Sequence, residues 1–186
     1  MNITGDRTRS GSQWSAQACA NSTGSFKYTA GRLGYREGAI DASVYGSSSR
    51  IDAQAADIKH AGIAGSYNFG VVRLSASVTQ ARFLNAKQSH CVLGAVIPVG
   101  LGRIMVSYNK LDQRGSTAAG VSIDANDAQQ FGLGYEYSLS KRTALYGNAA
   151  RLTNKGAAKF AIPGGPAGIA GGASSTGYEV GMRHAF

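Results

Sequence analysis

The side chains able to do chemistry in this 186-residue chain are few, and most of them carry fixed charge. His60, His90 and His184 are the available general bases, and a hydrolytic centre would need one of them beside a serine and a carboxylate. His60 and His90 fall at loop-proximal starts of alternating runs, and His184 lies near the end, where a solvated or interfacial histidine is the ordinary reading. Cys19 and Cys91 allow at most one disulfide and have no zinc-type spacing, so two free side chains are the plainer reading. The glycine-dense segment from Pro163 to Gly172 lacks the Lys-Ser/Thr of a phosphate loop and reads as flexible external linker. No catalytic residue, cofactor or metal site is therefore expected. What remains is a scatter of charges whose chemistry is electrostatic, setting the local concentration of mobile ions rather than breaking bonds.

The elements that must position these charges follow from hydropathy period. From Ala61 to Phe69, Ala61, Ile63, Gly65, Tyr67 and Phe69 share one face, with Gly62, Ala64, Ser66 and Asn68 on the other. After the turn 68–71, Val72, Leu74, Ala76 and Val78 oppose Arg73, Ser75, Ser77 and Thr79, which makes a hairpin. The pattern recurs in Cys91 to Val99 with Ile104 to Tyr108, in Phe131 to Leu139 with Thr143 to Thr153, and in Phe26 to Arg36 with Ala39 to Ser47 around Glu37-Gly38. The parity slips near Gly31, which predicts a bulge. A last strand from Thr176 to Phe186 brings the count to nine.

Composition agrees with an all-β chain of unusual surroundings. Glycine is 26 of 186 residues and charged residues only 16%, which excludes a coiled coil or helix bundle. The net charge of +9 is strewn singly along the sequence rather than gathered with aromatics, so no nucleic-acid partner is expected. No apolar run is long enough for a membrane helix, and the opening MNITGDRTRS has no signal-peptide h-region. Neither fact bears on a transmembrane β-barrel, whose alternation averages to a hydropathy near zero.

Strand and loop lengths distinguish that barrel from a soluble sandwich. The runs have mostly nine to twelve residues, where a membrane-crossing strand needs about nine to eleven and a soluble one most often has about five or six. Short connections at 36–38, 68–71, 98–102 and 138–142 alternate with longer ones at 48–57, 84–89, 112–127 and 154–175. Up-and-down outer-membrane barrels show this asymmetry, with short periplasmic turns and long external loops. Tyr35, Tyr67, Phe69, Tyr137 and Phe186 lie at strand ends beside the tight turns or the terminus, as an interfacial aromatic girdle would.

The carboxyl end, Gly177-Tyr-Glu-Val-Gly-Met-Arg-His-Ala-Phe186, resembles the terminal strand of Gram-negative outer-membrane barrels. Its Gly-Met-Arg-His-Ala-Phe is similar to the ending of trimeric general porins of β-proteobacteria, with Tyr178, Val180, Met182 and Phe186 at the alternating positions of the assembly signal. Tyr135 to Tyr146, and Asn21 through Gly31 to Gly38, resemble the same family. The resemblance implies a sixteen-stranded, water-filled barrel for passive diffusion, in the outer membrane, assembled as a homotrimer and inserted through the barrel assembly machinery. Family members are about twice as long, so residues 21–186 look like the carboxyl-terminal portion of such a barrel, and residues 1–20 like a loop remnant or a poorly formed strand.

Parity then assigns the wall charges. Lys27, Arg32, Arg73, Arg103 and Arg183 point to the lumen, Arg151 is left open, and the acidic candidates are Asp41, Glu136 and Glu179. The excess of positive charge favours anions. An alternative is a small self-closing barrel of ten strands with an adhesin or enzyme role.

Overall fold

The computed structural model describes residues 12–23, 26–51, 56–165 and 168–186. Ten strands carry the regular structure of these residues: β1 (Ser12–Thr23), β2 (Phe26–Glu37), β3 (Ile40–Ile51), β4 (Ala56–Asn68), β5 (Arg73–Phe83), β6 (Ala86–Val99), β7 (Gly102–Gly115), β8 (Ala128–Ser138), β9 (Thr143–Asn154) and β10 (Ser174–His184). They pair in chain order as one antiparallel up-and-down sheet, and no ladder joins β10 to β1, which leaves two open edges.

The count is ten rather than nine. Ser12–Thr23, expected as loop remnant or poorly formed strand, pairs with β2 rung by rung. Its serines, alanines and amides give little hydropathy contrast, but ladder hydrogen bonds come from the backbone and do not require any. Residues 1–11 lie outside the described residues. The bulge expected near Gly31 is also absent, since β2 stays in register with both neighbours from Phe26 to Glu37. The connection expected as a long loop at 84–89 is a two-residue turn between β5 and β6 with Leu84 at φ 52°, because Ala86–Ser89 continue β6. Tight turns at the other end close β4–β5 around Gly70 (φ 86°), where the Phe69 amide donates to the Val72 carbonyl at 2.9 Å.

Strict alternation gives the sheet two unlike faces. On the apolar face Val44, Ile63, Val78 and Cys91 stand opposite one another on β3 to β6, and Val106 and Leu133 continue the face on β7 and β8. These side chains have no second layer against them: Ile63 is 60% exposed and Val180 86%. The buried apolar set among the described residues is only Ala128, Ala144, Leu152 and Ala158. A single-layer sheet with an uncovered apolar face meets the physical requirement of a membrane wall, where lipid rather than protein covers that face.

Candidate functional site: the charged rim of the polar face

The polar face is carpeted mid-strand by small uncharged residues such as Ala64, Ser77, Gly94 and Ser107. Most of its charges gather near the tight-turn ends, while Arg32 and Glu179 lie mid-strand. Arg36 and Asp41 stand directly opposite on β2 and β3 and form an ion pair, with Arg36 Nε donating to the Asp41 carboxylate at 2.9 Å. Arg73, at the start of β5, donates through its terminal nitrogen to Ser66 Oγ at 2.9 Å.

The largest cluster spans β7 to β10. Arg103 and Glu136 are cross-strand partners at 3.0 Å, and Arg183 reaches the same carboxylate from β10 at 3.2 Å. It can do so because the strand between them presents Ala144 opposite Arg183 and Tyr146 opposite Gly181. Tyr146 lies flat across Gly181, where a Cβ would run into its ring, and donates its hydroxyl to Glu179 at 3.0 Å. One carboxylate thus sits between two guanidiniums, its own side chain 14% exposed against 45% and 65% for Arg103 and Arg183. Both arginines retain donors that face water.

The candidates from sequence separate as follows. Arg32, Arg73, Arg103, Arg183, Asp41, Glu136 and Glu179 share the polar face. Lys27 does not: with β2 unbroken it lies on the face of Leu33 and Tyr35, opposite Arg50. Arg151, opposite Phe131, is likewise on the apolar face. Arg36, at the end of the run 26–36 and the start of the connection 36–38, is the wall charge that the sequence reading omits; its pairing with Asp41 across the hairpin puts it on the polar face. Tyr178, Val180 and Met182 stand exposed along the apolar face of the edge strand β10, and the Phe186 ring meets His184 edge-on at 5.0 Å. His184 is bonded to Thr143 through Nδ1 at 2.9 Å, on the face opposite His60 and His90.

The segment after β9 is not a free linker. Asn154, 3% exposed, donates to the carbonyls of Phe160 and Ala173 at 2.8 Å and accepts from the Phe160 amide at 3.0 Å. Ile162 lies over Gly177, which has no side chain to displace it, and its amide donates to the buried Ser175 Oγ at 3.3 Å. This segment therefore folds back onto the polar face at the loop end of β9 and β10.

An open, antiparallel, up-and-down sheet with one face for lipid and one charged face for water defines a wall segment of an outer-membrane β-barrel. The sequence matches the Gram-negative porin family over residues 5–157, and the chain belongs to that family of the outer membrane. It is 36% identical over 171 residues to outer membrane porin protein 32 of Delftia acidovorans, covering 86% of this chain and 46% of that protein. Among solved structures it is similar to the anion-selective porin from Comamonas acidovorans, with 31% identity, a TM-score of 0.73, and coverage of 94% of this chain and 59% of that one. The fold is also that of OmpT of Vibrio cholerae, at 12% identity, a TM-score of 0.61, and coverage of 91% of this chain and 63% of the other. The chain thus spans about half the length of the curated relative it matches.

Proposed function

We propose that this chain forms part of the wall of a water-filled channel that passes small hydrophilic solutes and ions by passive diffusion, with a tilt toward anions. The observation that carries the reading is the polar face itself, where Arg32, Arg36, Arg73, Arg103 and Arg183 outnumber Asp41, Glu136 and Glu179. In a wet lumen such an excess raises local anion concentration over about a Debye length of 8–10 Å, with no nucleophile or cofactor required. The similarity to an anion-selective porin supports the sign.

The remaining wall comes from further strands that pair with the open edges of β1 and β10, since a barrel is stable in lipid only when closed. The complete assembly is a homotrimer, and Tyr178, Val180, Met182 and Phe186 serve as the insertion signal read by the barrel assembly machinery. The test uses protein extracted from outer membranes and planar bilayers under a salt gradient. Stable current steps with a reversal potential on the chloride side are expected; absence of conductance, or cation preference, contradicts the proposal.

A further inference from the structure

Among the small residues at mid-height of the polar face, one row holds a cation, an aromatic ring and an imidazole. Arg32 on β2, Tyr45 on β3, Gly62 on β4, Thr79 on β5 and His90 on β6 stand directly opposite one another. Strands lie about 4.8 Å apart, so the row runs roughly 19 Å across the wall. Tyr45 lies across Gly62: a Cβ there would stand 2.5 Å from Tyr45 Cε1, 2.9 Å from its Cζ and 3.0 Å from the Thr79 methyl. Gly62 is buried beneath the ring, in a wall with no second layer, while Tyr45 itself stays half-exposed.

Arg32 differs from the other arginines of this face. Arg36 is paired with Asp41, Arg103 and Arg183 share Glu136, and Arg73 bonds Ser66. Arg32 is exposed and has no carboxylate within 4.0 Å among the described residues. Asp41, four residues along β3 from Tyr45, is already held by Arg36. Tyr146 lies over Gly181 in the same manner, but its hydroxyl is bonded to Glu179, whose charge repels an anion there. Of these two rings, the one on β3 has an uncompensated cation beside it and no acid.

Arg32 stands two strand spacings, roughly 10 Å, from Gly62. An extended arginine and a one-ring carboxylate stacked on Tyr45 fill that gap together, with the carboxylate in the guanidinium fork. Offset stacking favours a planar ring over a saturated one of similar size. Thr79 and His90 continue the row beyond Gly62, where their side chains can hydrogen-bond a polar ring substituent.

We infer that Arg32 and Tyr45 form a binding site for monocyclic aromatic carboxylates on the channel wall. The inference rests on the reading of the polar face as the wet face, and it adds a choice of anion by ring shape to the preference set by charge.

The test is equilibrium dialysis of protein extracted from outer membranes, with benzoate and cyclohexanecarboxylate as the probes. The two acids carry the same charge, and only benzoate is planar. Native protein should bind benzoate about fivefold more tightly than cyclohexanecarboxylate. Tyr45→Leu should weaken benzoate binding by about the same factor, Arg32→Gln by about tenfold, and Tyr45→Phe, which keeps the ring, should bind as the native protein does. Equal affinity of the native protein for the two acids would overturn the inference, as would native benzoate affinity in Tyr45→Leu or Arg32→Gln. If Tyr45→Leu does not fold because Gly62 loses its cover, the native preference between the two acids and the loss in Arg32→Gln decide alone. Chloride conductance of the same native preparation in planar bilayers keeps the two readings apart. A silent bilayer contradicts the channel reading, whereas a conducting protein that binds both acids equally contradicts this inference alone.

Discussion

Glu136 sets how much of the positive charge on the rim reaches the water. It holds Arg103 and Arg183 together from strands separated by β9, so its carboxylate cancels part of two guanidinium fields at once. Glu136→Gln should shift the bilayer reversal potential further toward chloride, while stability changes by less than about 1 kcal/mol because both arginines remain largely in water. An unchanged reversal potential would remove this cluster from the conducting path. Asn154 is different in kind, since its side chain is buried and bonds the backbone of the segment after β9. Asn154→Ala removes the side-chain partners of the Phe160 carbonyl and amide, while the Ala173 carbonyl keeps the Asn154 backbone amide, at about 1–3 kcal/mol. Hydrogen exchange should show it as faster exchange at the Phe160 amide, with the β4–β5 ladder unaffected.

Among the elements, legibility followed hydropathy contrast. β4 to β8 and β10 could be read because Ile, Val, Leu and aromatics alternate with Ser, Gly and charge, and their register is the one parity implies. β1 could not be read, because Ser, Ala, Gln and Asn on both parities give the same signal as a loop. The error at Lys27 came from supposing a bulge: one inserted residue moves everything before it to the other face. The loop after β9 was invisible for another reason, since Ile162 over Gly177 is a contact between distant residues that composition does not encode. The edge strand β10 permits a direct test of its outward face. Val180, 86% exposed near the middle of that strand, should tolerate Leu, whereas Val180→Arg should cost about 2–4 kcal/mol in lipid, measured by urea unfolding in bilayers. Equal stability of the two variants would place that face in water.

For the molecule as a whole, the high glycine and low charge of the sequence find their explanation in a wall one strand thick. Such a wall has no interior to fill, so small residues carpet the polar face and intervene between the larger ones of the apolar face. Most basic residues of the strands divide between the polar face near the tight turns of Gly38, Gly70 and Gly100 and the opposite end of the apolar face. Everything therefore turns on which face is wet. Single cysteines placed at Ser75 and Ser107 on the polar face, and at Val78 and Val106 on the apolar face, in a background with Cys19 and Cys91 replaced by alanine, can be challenged in intact outer membranes with a membrane-impermeant thiol reagent. Rapid labelling at Ser75→Cys and Ser107→Cys, with protection at Val78→Cys and Val106→Cys, is the predicted result. Labelling of the apolar pair with protection of the polar pair would contradict the account.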